Sequence, residues 1–260
     1  MSKMDFTATS TKTTYSGRSA DHSWEILCAE NLSPEGKDVL DIGCGGGIYT
    51  LAFAFLGAKS VTGIDKSQQY IEQANSLIDK PGNVLFLVGD ATATGVSSQV
   101  SDLVFERALI HHLTEDEQFL NAKEAARVLR DNGVLAVQDR TFENVLDDHP
   151  RHWIRSTLFK CFPKLLDFER ERRPSESRYN EILEATSLEA MSPVRFSERR
   201  KSYTSLDELK NEIRSRKGKS ILFELSDDEL EFYCEMLEQA SIDRPLDEID
   251  QWTLWRARAH

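Results

Sequence analysis

Cysteine is scarce in this chain, and what there is lies scattered. The four cysteines, Cys28, Cys44, Cys161 and Cys234, form no C-x-x-C pair. This argues against a disulfide framework and against a zinc site, and for reduced thiols. Long apolar runs are missing as well: none approaches the ~20 residues needed to span a bilayer. Residues 1–18 are polar and Thr/Ser-rich, without the apolar centre of a secretory signal, so the expectation is a cytoplasmic protein with no membrane contact. Excess positive charge is absent too. Lys and Arg number 32 against 44 Asp and Glu, a net charge of −12, which disfavours a dedicated nucleic-acid binder. The deficit is uneven, because residues 151–220 are basic in balance while both flanks are acidic. Solvated helix faces with intrachain pairs explain this more simply than an anionic partner.

What is present is organised around Asp38-Val39-Leu40-Asp41-Ile42-Gly43-Cys44-Gly45-Gly46-Gly47. Val39, Leu40 and Ile42 read as a buried strand of a parallel sheet. From Ile48 to Leu56 the pattern is helical, with Gly57 as its stop. The glycines therefore sit in a strand-to-helix turn, where backbone can approach a ligand closely and helix N–H groups face the same crevice. Two nucleotide motifs are incomplete. The dinucleotide fingerprint fails because Ile48 stands at its third glycine, which argues against a dehydrogenase, and no Lys-Ser or Lys-Thr follows as a phosphate-binding loop requires.

A second β-type run, Ser60 to Asp65, ends in an acid 18 residues beyond Gly47. In a β-α-β unit such an acid accepts from the two ribose hydroxyls. Lys66 to Ile78 reads as a helix capped by Ser67, with Tyr70, Ile71, Ala74, Leu77 and Ile78 on one face. Val84–Val88, Ser101–Glu106 and Val134–Gln138 read as strands three, four and five, with a capping box at Thr114 and Glu117 between the last two. Strands alternating with helices across residues 38–140 predict a doubly wound, mostly parallel α/β sheet. Pro193–Ser197 and Trp252–Ala257 read as two further strands, separated by helices capped at Thr204 or Ser205 and at Ser226.

The run from Val39 to Gly47 resembles the cofactor motif of class I S-adenosylmethionine-dependent methyltransferases. Gly89-Asp90-Ala91 after the third strand and His111-His112-Leu113 after the fourth are similar to further elements of that family. The resemblance implies a seven-stranded Rossmann-like fold whose last strand enters antiparallel between strands five and six. It implies S-adenosylmethionine as cofactor, with contacts from Asp41, Gly43, Cys44, Gly45, Asp65, Lys66 and Arg107. Asp90 would accept from the adenine amino group and the Ala91 N–H would serve a ring nitrogen. Tyr15 and Arg18, on an arm folding over the cofactor, are candidates for its carboxylate. Asp90 as a simple turn cap is the plainer alternative.

The expected organisation is one methyltransferase domain: an arm and helix (1–32), a cofactor core (33–141), a helical insertion or lid (142–192), and C-terminal strands with inserted helices (193–260). Trp153, Ile154, Leu158, Phe159, Phe162, Leu165, Leu166 and Phe168 supply the lid with an apolar face. Methyl transfer needs a nucleophile placed in line, water excluded, and for a hydroxyl a base. No metal is required. Base candidates are His111, His112 and Asp139, at the carboxyl ends of strands four and five; the plainer reading has one histidine bonding loop backbone and the other packing. Arg107, Arg140, Arg172, Arg173, Arg195 and Arg199 are candidates to hold a substrate carboxylate. The expectation is a small-molecule methyltransferase, monomer or homodimer, whose acceptor is a carboxylate or other anionic metabolite. An RNA or tRNA methyltransferase and a non-catalytic cofactor-binding protein are the rivals.

Overall fold

The structure is a computed structural model describing residues 20–77, 80–216 and 218–260. Its strands are β1 (Asp38–Ile42), β2 (Ser60–Asp65), β3 (Val84–Val88), β4 (Ser101–Arg107), β5 (Leu129–Asp139), β6 (Leu188–Ser202) and β7 (Asp247–Ala259). They form one sheet in the order β3-β2-β1-β4-β5-β7-β6. The first five strands run parallel, and β7 is antiparallel to both β5 and β6. Strand order reverses between β1 and β4, the switch point at which open α/β sheets bind ligands.

The helices are α1 (His22–Asn31), α2 (Ile48–Phe55), α3 (Gln68–Asn75), α4 (Glu115–Val128), α5 (Phe142–Leu146), α6 (Trp153–Cys161), α7 (Lys164–Arg172), α8 (Glu176–Ala185), α9 (Leu206–Arg214) and α10 (Asp227–Ala240). Because strand side chains alternate between faces, the sheet builds two cores. On one face Trp24, Phe53 and Phe105 meet edge to face, with ring centroids 5.0–5.7 Å apart. On the other, Leu40, Val104 and Val137 pack against Ala122, Ala125 and Ile182 of α4 and α8. Polar caps start the helices where the sequence places them: Asp21 on α1, Ser67 on α3, Ser205 on α9, and capping boxes at Thr114 and Ser226.

A third core belongs to the cap. Trp153, Ile154, Leu158 and Phe159 from the insertion after β5 pack with Leu209, Ile213, Leu230, Tyr233 and Leu237 from the segment between β6 and β7. The Tyr233 hydroxyl donates to the Ile154 carbonyl at 2.7 Å. Two insertions far apart in sequence thus make one helical layer.

Three readings are corrected. β6 runs from Leu188 to Ser202 and β7 starts at Asp247, both longer than the expected strands; the extension past Ser197 and the early start of β7 carry Glu198, Glu248 and Asp250, which are buried as ion pairs. β5 begins at Leu129, where a register shift absorbs the polar stretch before Val134. Leu77 is exposed, past the end of α3, so it leaves the buried face expected for it; Ile78 lies outside the described residues.

Candidate active site

The glycine turn is built by the end of β2. The Gly43 and Cys44 N–H groups both donate to the Ile64 carbonyl, at 2.7 and 3.0 Å. Gly45 and Gly47 take φ of +52° and +82°, where side chains are strained. Their surroundings differ. A Cβ on Gly47 would stand 2.5 Å from Phe86 Cζ, so this glycine lets the turn pack on β3. A Cβ on Gly45 would meet no atom within 4 Å among the described residues beyond its chain neighbours, so this glycine faces the crevice. A Cβ on Gly43 would meet the Leu109 side chain at 3.2 Å, which puts the loops after β1 and β4 side by side at the switch point.

Asp65 leans into that crevice. Its Oδ2 accepts from the Gly45 N–H at 2.9 Å and its Oδ1 from the Ser67 N–H at 2.8 Å. Each oxygen keeps a second lone pair for a ligand hydroxyl. Burial raises its pKa, opposed by these two N–H groups. Asp41 behaves differently. It is buried, accepts from Thr50 Oγ1 at 2.6 Å, and burial pushes its pKa up to about 7. Its carboxyl ties β1 to the first turn of α2. The Cys44 thiol is buried and Lys66 is exposed. Tyr15 and Arg18 lie outside the described residues.

Asp90 is exposed, and its Oδ1 accepts from the Thr92 N–H and hydroxyl at 2.8 and 2.6 Å. The same carboxylate thus caps the turn that carries Ala91. A residue the sequence reading missed holds this turn. Asn121 Nδ2 on α4 donates to the Ala91 carbonyl at 3.2 Å and to Glu106 Oε1 at 2.8 Å. Glu106 is fully buried on β4, and burial pushes its pKa up to about 7. Asn121→Ala removes both bonds and strands a buried acid. It is expected to cost about 1–3 kcal/mol and to weaken ligand binding at the turn, read by thermal melting and by titration. Unchanged values would remove Asn121 from this role.

His111 follows β4 in a short 3-10 turn, Ile110–His112, opposite the end of β5. Its Nδ1 lies 2.9 and 2.8 Å from Asp139 Oδ1 and Oδ2. Asp139 also accepts from the Arg140 N–H at 2.8 Å and from Arg173 Nη1 at 2.9 Å. The ring partner of His111 is thus a buried carboxylate rather than loop backbone. An ionised Asp139 only accepts, so it fixes the proton on Nδ1 and leaves Nε2 with a lone pair. Burial lowers the His111 pKa to about 4 against the pull of Asp139, and Arg173 and Arg172 add to the lowering. Burial works the other way on Asp139, but His111 and Arg173 hold its carboxyl far below the usual range. The ring of His112 stands 4.0 Å from that of His111, and burial lowers its pKa too. Glu169 receives Arg172 and Arg173, so the end of α7 is tied to the His111–Asp139 pair. Arg173 was legible only as an arginine; its 34-residue reach to Asp139 has no local signal.

The arginine candidates all carry acids. Arg107 donates to Glu198 at 2.9 Å, Arg140 to Asp250 at 2.8 Å and Arg195 to Glu176 at 2.5 Å, and Arg199 faces Asp21 at 3.3 Å. Around Arg107 runs a buried chain in which Trp24 Nε1 donates to Gln138 Oε1 and Gln138 Nε2 donates to Glu198 Oε2. Arg107 is thereby held against the sheet by Glu198, with its Nε buried and without a hydrogen-bond partner among the described residues. Among the described residues, no group of three or more His, Cys, Asp or Glu could hold a metal ion. Nor is any helix among them long and apolar enough to cross a membrane.

With this geometry in place, comparison with known proteins is specific. Residues 40–137 match the family described as methyltransferase domain. The 27-O-demethylrifamycin SV methyltransferase of Amycolatopsis mediterranei is 34% identical over 107 residues, which are 40% of this chain and 39% of that protein. The 2-methyl-6-phytyl-1,4-hydroquinone methyltransferase of Synechocystis is 34% identical over 106 residues, 41% of this chain and 33% of that one. The match thus spans well under half of these relatives. A proposed methyltransferase from an antibiotic biosynthesis pathway in Anabaena variabilis shares the fold across 94% of this chain and 98% of its own, with TM-score 0.69 and 19% identity. The cyclase SpnF shares it across 91% and 80%, with TM-score 0.57 and 19% identity.

Proposed function

We propose that this chain, whose residues 40–137 match the methyltransferase domain family, is a class I S-adenosylmethionine-dependent methyltransferase that methylates a hydroxyl group of a small molecule. The His111–Asp139 pair carries this reading. A carboxylate acceptor is already a nucleophile and needs no base, whereas a hydroxyl must lose a proton as it attacks.

The crevice fits the cofactor on three counts. Gly45 leaves open backbone at the turn. Asp65 keeps lone pairs for two ribose hydroxyls. The Ala91 turn is fixed by Asp90 and Asn121 at the end of β3. Gly43, Gly45, Asp65, Asp90 and Ala91 would hold the group, with Asp41 and Cys44 shaping the turn beneath it. When bound, S-adenosylmethionine supplies an electrophilic methyl on a sulfonium that leaves as a neutral thioether. His111 Nε2 takes the acceptor proton, and Asp139 keeps the imidazole in the tautomer that can do so and stabilises the cation that forms. The cap over β5, β6 and β7 excludes water.

The basic middle segment supports a small acceptor over RNA. Arg155, Arg172, Arg173, Arg200, Lys201, Arg214 and Lys219 are each paired with an acid, so they form no open cationic footprint. The test is methyl transfer from labelled cofactor to a panel of phenols and hydroxy acids. Accumulation of methyl ethers is expected; methyl appearing only on RNA, or on nothing while cofactor binds, would overturn the reading. The pH dependence follows from His111. It acts deprotonated, and its pKa is lowered. The acid limb of kcat is therefore expected well below pH 6.5, with activity retained near pH 5.5. A limb at or above the ordinary histidine value of about 6.5 would contradict the assignment.

A further inference from the structure

Three arginines gather where β4, β5 and β7 meet the cap. The guanidinium carbons of Arg107 and Arg140 each lie 4.3 Å from the centre of the Trp252 ring. Arg140 and Arg155 share one carboxylate, Asp250, at 2.8 and 2.9 Å. Arg107 has Glu198. This leaves three guanidinium cations on two carboxylates. Widening the shell does not close the balance. Arg172 and Arg173 face Asp139 and Glu169, two against two. Arg200 and Lys219 face Glu212 and Glu248, again two against two. Counting ion pairs alone, one cation of the three has no carboxylate of its own; the nearest further acid felt by Arg107 is Asp41, whose burial pushes its pKa up to about 7 and leaves it only partly ionised.

Among the described residues, unsatisfied donors occur at several arginines, Arg172 and Arg256 included, but only here do three converge on one place. Arg107 Nε, Arg140 Nε and Arg155 Nη1 are buried, with no hydrogen-bond partner among the described residues. A buried guanidinium N–H without an acceptor is rare enough to need an explanation. Burial and the nearby Arg155 push the Arg140 pKa down to about 9, with Arg173 adding to the crowding of like charge.

We propose that Arg107, Arg140 and Arg155, around Trp252, form a subsite for a carboxylate on the acceptor. The group is a handle for recognition; the hydroxyl elsewhere on the same molecule is what is methylated. A single carboxylate brings one negative charge and two oxygens, matching the surplus cation and the open donors, and a planar anion suits guanidinium geometry. Resting on the reading of the carboxyl ends of β4 and β5 as the acceptor site, the proposal narrows the substrate to a hydroxylated carboxylic acid.

The test needs neither the true substrate nor turnover. The full chain is melted in chloride and in saturating benzoate at equal ionic strength, with benzamide and inorganic phosphate as controls. Benzoate is expected to raise Tm by about 2–4 °C, and benzamide not at all. Arg140→Gln leaves Asp250 with Arg155, so it should melt no lower than wild type in chloride and lose the benzoate shift. Arg140→Lys should regain part of it. No benzoate shift in wild type, an equal shift in Arg140→Gln, or an equal shift with phosphate would overturn the carboxylate subsite. Cofactor titration of the same samples separates this from the proposed reaction, because cofactor binding makes no use of this subsite and loss of that binding would instead count against the cofactor crevice.

Discussion

Replacing His111 by alanine is expected to lower kcat by about 10²–10⁴-fold while leaving cofactor affinity close to wild type. The imidazole is placed by Asp139 through Nδ1, so the substitution removes the base and little else that a ligand touches. The accompanying stability change is read separately by melting. Asp139→Asn should lower kcat as well, because an amide no longer holds the required tautomer, yet it also leaves Arg173 with one acid fewer and should melt lower. Single-turnover rates with saturating cofactor distinguish the two. Wild-type rates in both variants would assign catalysis to proximity alone.

Two glycines two positions apart in the same motif are expected to fail in opposite ways. Gly47→Val puts a branched side chain at φ +82° with its Cβ 2.5 Å from Phe86 Cζ. Strain and overpacking together predict a loss of about 3 kcal/mol or more, a fall in Tm of roughly 6–12 °C at about 2–4 °C per kcal/mol. Gly45→Ala meets no atom within 4 Å among the described residues beyond its chain neighbours, so its backbone is what costs stability, about 1–2 kcal/mol. Its methyl group, however, points where the cofactor would lie, and cofactor affinity is expected to fall by at least about tenfold, or about 1.4 kcal/mol. Chemical denaturation and titration of both variants check the contrast. A Gly45→Ala protein that binds cofactor normally would move the ligand away from this turn.

The core sheet was legible because its signals are local. Val39, Leu40 and Ile42 are a buried apolar run, Gly57 and Ser67 mark helix ends, and Thr114 with Glu117 announces α4. The edge was less so. Glu198, Glu248 and Asp250 hold inward positions that hydropathy reads as solvent-facing, and only the arginines opposite them make burial tolerable. The same division runs through the site. Asp65, Asp90 and His111 stand at strand ends within recognisable motifs. Asn121, Glu198 and Arg173 act from neighbouring elements at separations of 30, 91 and 34 residues from their partners, and no spacing rule links them. Sequence names the arginines as candidates for a substrate carboxylate without saying which face inward; folding gives every one of them an acid, and the sharing of Asp250 by Arg140 and Arg155 emerges only in three dimensions.

Asp65 offers the most direct test of the account, by isothermal titration of the wild-type chain and of Asp65→Ala with S-adenosylmethionine and with S-adenosylhomocysteine. The wild type is expected to bind both in the micromolar range. The variant loses two charge-assisted hydrogen bonds to the ribose, each about 1.5–3 kcal/mol, and should bind at least about a hundredfold more weakly. Failure of the wild-type chain to bind either ligand, or equal affinity in Asp65→Ala, would contradict the assignment of this crevice as the cofactor site.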